Sequence, residues 1–203
     1  MAVVKLITPP ATLALTVVEA KQHLRVTGSD KDSEIQAYTQ AAISMVENWT
    51  GRALIDQTWD LYLDKFPTDA TALEIEIPKP PLIEVVQIAY DDPNGDEQIM
   101  SPNNYYVDTV SQPGWVLPQG VGAVWPTPIV AINTVRVRFR AGYLSTDSPP
   151  VNAVPEDIKA GIKLTLGTLY EYRELQTVGN IATALPFGVE QLLRHHRVLL
   201  GMA

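Results

Sequence analysis

The chain has 203 residues, with 46% hydrophobic and 19% charged residues, a formal net charge of −8 and no cysteine. This length allows one domain, or one domain with a sizeable insertion, and the composition is sufficient to bury a core. The absence of cysteine excludes a disulfide scaffold, a thiol nucleophile and a cysteine-ligated metal site. The negative charge argues against tight DNA binding, which requires a basic face, but it allows DNA to pass nearby.

The sequence contains no sign of membrane targeting. Its first residues lack the basic start and long apolar run of a signal peptide. No apolar run approaches the roughly 20 residues that are needed to cross a bilayer. We therefore expect neither a signal peptide nor a membrane partner.

An extended lead-in over residues 1–15 precedes the first predicted helix. Pro9 and Pro10 prevent helix formation in this lead-in. Thr16, followed three residues later by Glu19, forms a capping box, so a short helix is expected to begin there and run to about Val26.

A second, longer helix is predicted to follow. Asp32 or Ser33 is expected to cap it, and Gly51 is placed to end it in the left-handed conformation. Between them apolar side chains recur at helical spacing, at Ile35, Tyr38, Ala41, Ala42, Met45, Val46 and Trp49.

The middle of the chain changes to the alternating pattern of β-strands. Strands are predicted by alternation at 58–66, 73–77, 83–90, 98–100, 105–108, 115–117 and 134–140. Asn94-Gly95 is a strong tight-turn signal, so the strands at 83–90 and 98–100 should form a hairpin. In the last strand the valines and Phe139 should point inward and the three arginines outward.

Helical spacing returns after a Gly/Ser/Pro-rich joint at 141–154. Pro155 fits the first position of a helix that should run to about Glu174, with Glu156 and Asp157 near its positive end. A loop is expected at 176–185, followed by a last helix that starts at Pro186.

This order of elements predicts an α+β fold with a mainly α-helical core. Four helices, two from each end of the chain, should pack together, with a β-rich insertion between the second and third helices. The corresponding domains are 1–52, 53–145 and 146–203. The alternative is two separate helical hairpins that flank a sheet.

No catalytic constellation is evident, so we predict no enzymatic activity, no metal site and no cofactor. No G-x-S-x-G, Walker A or G-x-G-x-x-G motif occurs. The adjacent His195 and His196 should point about 100° apart on a helix and should not chelate one metal together. His23 is expected to be a surface or packing residue.

Acidic residues outnumber basic ones in the middle of the chain. They could form a solvated face of a sheet, or a negative surface that faces a DNA channel or a basic partner. The residues selected for this acidic surface are Asp60, Asp64, Glu74, Glu76, Asp91 and Asp92.

An ordered set of motifs resembles the head–tail connector proteins of tailed phages, which are the head-completion or adaptor proteins of siphophages, prophages and related gene-transfer particles. The strongest pieces are L-T-x-x-E-A-K-x-H-L-R-V at 15–26, A-A-x-x-x-V-E-x-W-T-G-R-A-L at 41–54 and Q-T-W-x-L-x-L-D-x-F-P at 57–67. Shorter pieces continue the resemblance in order at 77–82, 85–95, 136–143, 154–162, 169–174 and 185–193.

The resemblance implies a structural protein that forms a ring of about twelve copies beneath the portal of a virion. Such a ring lengthens the DNA channel without specific DNA binding and carries a stopper or tail-terminator protein. It implies assembly in the cytoplasm of the bacterial host. It also implies that the last helix docks on the portal, through Phe187, Val189, Leu192, Leu193, Arg194 and Arg197.

A tail-terminator or stopper protein of the same assembly module is the alternative function. Those proteins tend to be compact and β-rich or mixed, without helix pairs at the ends of the chain. The helices predicted at both ends therefore favour the connector.

Overall fold

The computed structural model describes residues 2–69, 72–144, 153–171 and 187–198. These residues form eight β-strands and four α-helices. The chain divides into two compact units. Of the described residues, 2–11, 52–69 and 72–144 build one unit, and 12–51, 153–171 and 187–198 build the other.

The first unit, here called the β unit, contains two antiparallel sheets. The five-stranded sheet has the order β1-β2-β8-β4-β5, and the three-stranded sheet has the order β3-β7-β6. The strands are β1 Ala2–Thr8, β2 Gln57–Leu63, β3 Ile75–Ile77, β4 Leu82–Asp91, β5 Glu97–Ile99, β6 Tyr105–Asp108, β7 Gly114–Pro118 and β8 Val135–Ala141.

The β unit has its own hydrophobic core, and β8 shows how the sequence builds it. Val135, Val137 and Phe139 alternate along this strand and are fully buried, which confirms the predicted inward face. Further core residues come from both sheets and from the loops after β2 and β7, among them Leu61, Phe66, Ile77, Ile88, Val116 and Trp125.

The turn between β4 and β5 is the predicted tight turn. Gly95 adopts a φ of +90°, which favours glycine. The Asp92 carboxylate accepts hydrogen bonds from the backbone N–H groups of Asn94, at 2.8 Å, and Asp96, at 3.1 Å. These hydrogen bonds lower the pKa of Asp92, and the bond from the Asp96 N–H has the larger effect. The turn is thus stabilised by its own side chain.

The second unit is helical, and its first helix, α1, is Val17–Leu24. The predicted capping box is present, because Thr16 accepts from the Glu19 N–H at 3.2 Å and Glu19 accepts from the Thr16 N–H at 2.8 Å. The helix ends at Arg25, which takes the left-handed conformation with a φ of 55°.

The second helix, α2, is Asp32–Thr50. The prediction that Asp32 or Ser33 caps it is wrong: the cap position is Lys31, without a side-chain hydrogen bond, and the Asp32 carboxylate instead pairs with Lys21. Gly51 ends the helix with a φ of 73° and donates its N–H to the Glu47 carbonyl at 2.9 Å, as predicted.

The C-terminal part contributes α3, Glu156–Glu171, and α4, Phe187–Leu193, followed by a 3₁₀ turn, Arg194–His196. The helix α3 contacts α1, α2 and α4. Glu156 and Asp157 occupy its first turn, as predicted. The predicted loop at 176–185 and the predicted start at Pro186 lie outside the described residues.

The predicted fold class, a mainly α-helical core with a β-rich insertion, is wrong. The lead-in to the helices is not an unpaired arm, because its residues form β1 and pair with β2 from Ala2 opposite Leu63 to Thr8 opposite Thr58. The sheets therefore begin before the helices and bury a core of their own. The described residues thus form an α+β fold, with two antiparallel sheets in one unit and the helices in the other. None of the described helices combines the length and apolarity of a membrane span.

Candidate functional site

The outward face of β8 carries three arginines that alternate with the core residues. Arg138 reaches Asp60 of β2 through two hydrogen bonds, of 2.7 Å and 2.8 Å. This paired geometry is the strong form of an arginine–carboxylate contact. These hydrogen bonds to the Asp60 carboxylate raise the pKa of Arg138 above its ordinary value.

The other two arginines are paired as well. Arg140 bonds to Asp56 just before β2 and to Glu84 of β4, which raises the pKa of its guanidinium. Arg136 lies 3.2 Å from the carboxylate of Glu97 in β5. The arginine face of the sheet is thus matched by carboxylates on neighbouring strands and does not present an open basic surface.

The six residues predicted to form an acidic surface do not lie together. Asp60 is only 1% exposed and paired with Arg138, so it contributes no negative surface. Asp64 accepts the Asn133 N–H at 3.0 Å, and the Asp91 N–H donates to the Thr134 carbonyl at 2.9 Å. Asp64 and Asp91, with the neighbouring Asp92, therefore lie at one end of the five-stranded sheet.

The remaining two acidic residues belong to the other sheet. Glu74 is exposed just before β3. Glu76 lies within β3, and its Oε1 is buried without a hydrogen-bond partner in the described part of the chain. Glu74 and Glu76 therefore do not extend the acidic end of the five-stranded sheet.

The residues predicted to bind the portal divide between buried and exposed positions. Val189 and Leu193 of α4 are buried, and a methyl group added at Gly161 of α3 would lie 3.0 Å from the Leu193 side chain. Leu192 is half-buried, while Arg194 and Arg197 are exposed. The side chain of Phe187 is outside the described part.

Arg197 has a partner within the helical unit. Its guanidinium carbon lies 5.4 Å from the centre of the Trp49 ring, within the range of a cation–π contact. A backbone hydrogen bond lies next to this contact, because the Val198 N–H donates to the Thr50 carbonyl at 2.8 Å. These bonds hold the chain after the 3₁₀ turn against the end of α2.

The two adjacent histidines converge on one carboxylate. The Nε2 atoms of His195 and His196 lie 2.9 Å and 2.6 Å from Oδ2 of Asp157, in the first turn of α3. The donor atoms of the three residues lie within 4.8 Å of one another and could approach a single cation. The two rings thus reach one carboxylate although they are adjacent in the chain, and the expectation that they do not chelate one metal together stays a prediction.

Asp157 is held in its charged form by these contacts. Its partial burial would by itself raise the pKa, but hydrogen bonds from His196, His195 and the Ile158 N–H outweigh that effect and lower it. The sequence held one signal for this site: an aspartate in a first helical turn and a histidine pair in the last predicted helix. It held no signal for their proximity.

Comparisons with known proteins agree with this fold. Residues 14–110 match the family described as Phage gp6-like head-tail connector protein. A solved chain from the neck of an empty gene transfer agent (GTA) particle, computed with C6 symmetry, superposes with a TM-score of 0.76 at 25% identity, covering 99% of this chain and 100% of that one.

Two further solved chains are similar. One, from the virion of a native GTA particle, has a TM-score of 0.73 at 25% identity and covers 98% of this chain and 97% of that one. The other, from the neck of a native GTA particle computed with C12 symmetry, has a TM-score of 0.69 at 25% identity and covers 99% and 100%. No curated protein sequence matches the chain.

The fold and these matches define a class of structural proteins that join the head of a phage-like particle to its tail. Residues 14–110 thus match the phage head–tail connector family, and the role of the chain is that of a structural connector.

Proposed function

We propose that the chain forms a ring beneath the portal of a tailed phage-like particle, extends the DNA channel and provides the platform for a stopper or tail-terminator protein. The observation that carries this proposal is the match over almost the whole chain to proteins from particle necks that were computed with C6 and C12 symmetry. Ring symmetry in those necks supports an oligomeric ring here, and their source supports a virion location.

In this proposal the ring acts by shape and charge alone, without catalysis or a cofactor. The net charge of −8 and the pairing of the three β8 arginines suit a conduit that DNA crosses without sticking, because phosphate finds little unpaired basic surface on that sheet. Assembly takes place in the cytoplasm of the bacterial host.

The three predicted segments have separate tasks in this proposal. Residues 1–52 and 53–145 form the ring body, and 146–203 contain the segment that docks on the portal. Because Val189 and Leu193 are buried in the helical unit, they anchor α4. The contact with the portal is then made by the exposed Arg194 and Arg197 with the half-buried Leu192.

The test is binding of the purified chain to its portal ring, followed by electron microscopy. The double variant Arg194→Glu/Arg197→Glu should lose portal binding, because two charges that face the portal are reversed. Arg25→Glu/Lys65→Glu, at exposed positions, makes the same change in net charge and should bind as the wild type does.

Two results would contradict the proposal. Normal binding by the Arg194/Arg197 variant would remove the docking role of the C-terminal segment. A wild-type chain that ignores the portal but caps tail tubes would be a tail terminator instead.

A further inference from the structure

The longest part of the chain without a charged residue lies between Asp108 and Arg136. Within it, residues 119–134 connect β7 to β8, and we call this segment the apolar loop. Four of its aliphatic side chains are at least 74% exposed: Val121, Val124, Val130 and Ile132. An uncharged surface with this many exposed aliphatic side chains is typical of a contact with another protein.

The apolar loop is anchored at several points. Trp125 is buried, stacks on Phe66 with ring centres 4.9 Å apart and donates its indole N–H to the Leu73 carbonyl at 2.7 Å. The Ile129 N–H bonds to the Asp91 carbonyl at 2.9 Å, and the Asn133 N–H bonds to Asp64. The exposed side chains are therefore presented on a fixed backbone, which lowers the entropy cost of binding.

A second apolar surface lies on the same β unit, at the edge strand β1. This strand is the outermost of the five-stranded sheet, and the described residues place no strand on its other side. Val3, Leu6 and Ile7 are 37–43% exposed, and Lys5 is the only charged residue in the strand. Isolated proteins usually protect such an edge with charge, proline or a covering segment.

The β unit thus offers two different apolar surfaces, as a subunit of a ring requires. A closed ring is built from head-to-tail contacts, so each copy must offer two different surfaces that complement each other. We propose that the apolar loop of one copy packs against the β1 edge of the next copy in the ring. This inference rests on the ring of the proposed function and names the surfaces that close it.

The occupant of the apolar loop is thus a second copy of this chain. Interfaces between identical copies are more apolar than the rest of a protein surface, and depletion of charge is characteristic of their centre. Association through the β1 edge adds backbone hydrogen bonds to apolar contact, as in β-strand addition.

Charge substitution on each surface tests the proposal. Val130→Asp/Ile132→Asp alters the loop, and Val3→Asp/Leu6→Asp alters the edge. Both should still bind the portal but leave the ring open, with at least about tenfold fewer closed rings by electron microscopy, because an aspartate must be buried in an apolar contact. Val18→Asp/Leu164→Asp, at exposed apolar positions of the helical unit, should close rings normally.

A mixture of the two altered proteins tests the pairing itself. In a head-to-tail contact each mixed pair retains one unaltered interface, formed by the loop of the edge variant and the β1 of the loop variant. Chemical cross-linking on the portal should therefore give pairs from the mixture and none from either variant alone.

The possible contrary results are distinct. Closed rings from either variant, or no pairs from the mixture, would overturn the inference. A loop variant that closes rings but fails to hold the next tail component would assign the loop to that partner instead. If the wild type forms no ring on the portal, the proposed function itself fails.

Discussion

At the scale of single residues, the pair formed by Asp60 and Arg138 differs most from what alternation along the strands predicts. A carboxylate on the outward side of a half-buried strand is expected to be solvated. Asp60 is instead 1% exposed and accepts hydrogen bonds from two nitrogens of the Arg138 guanidinium, 78 positions later in the chain. A buried carboxylate is tolerated only with such a partner.

Removal of that partner should be costly. Arg138→Met leaves the Asp60 charge buried and unpaired, so the free energy of unfolding should fall by about 3–5 kcal/mol. Arg136→Met breaks a pair whose carboxylate, on Glu97, is more than half exposed, so the loss should be about 0–1 kcal/mol. Urea denaturation of the two variants measures the difference. Equal losses would mean that Asp60 is solvated.

Asp157 provides a prediction about pH. Its pKa in the folded chain lies below the ordinary value of 3.8, mainly because hydrogen bonds from His196 and His195 overcome the effect of its burial. A carboxyl group whose pKa is lower in the folded chain stabilises the fold at pH values above its pKa in the unfolded chain. This stabilisation is lost as the pH falls through the pKa of the folded chain.

The variant Asp157→Asn should therefore be less stable than the wild type at pH 5, and the gap should narrow as the pH is lowered towards 3. Urea denaturation at pH 5, 4 and 3 gives this difference directly. A gap that stays constant over this range would show that the carboxylate charge does not contribute to stability.

At the scale of elements, the short helix α4 depends on its packing. A helix of seven residues is too short to be stable alone in water, so its stability comes from the side chains it buries. Val189 and Leu193 supply this burial, and Gly161 of α3 provides the space that Leu193 occupies. The contact is tight, because both methyl groups of Leu193 would lie 3.0 Å from an added Cβ.

Gly161→Ala should loosen α4 although alanine is the better helix former. Because Leu193 is fully buried, the added methyl group should overpack this contact and lower the free energy of unfolding by about 1–2 kcal/mol. Hydrogen exchange of residues 187–198 should accelerate in this variant.

The control is Gly188→Ala within α4, where an added methyl group meets nothing within 4 Å. Helix propensity alone should leave its stability unchanged or raise it by up to about 1 kcal/mol. If both variants behave alike, close packing at Gly161 does not hold α4 in place.

At the scale of the whole molecule, the chain separates structural tasks between two units. The β unit has its own core and carries the apolar loop and the β1 edge, which we infer to be the ring contacts. The helical unit carries α4 and the exposed arginines that we propose to meet the portal. On this view, changes to the loop should affect ring closure and changes to the C-terminal arginines should affect portal binding, each without the other.

The sequence by itself determined the features that arise between close neighbours in the chain. The Thr16–Glu19 capping box, the end of α2 at Gly51, the Asn94-Gly95 turn and the inward face of β8 were all predicted, because each depends on residues a few positions apart. The family resemblance added the connector role, because it drew on many short motifs in order.

Only the tertiary structure decided which distant segments meet. The lead-in is an edge strand because it pairs with β2. Asp60 forms an ion pair with Arg138, and Asp157 contacts His195 and His196. The residues that we propose to bind the portal were predicted from the sequence, but their division into buried and exposed positions depends on the contact between α3 and α4. Local patterns specify how a segment folds, whereas the pairing of remote segments depends on the summed packing and hydrogen bonding of the complete chain.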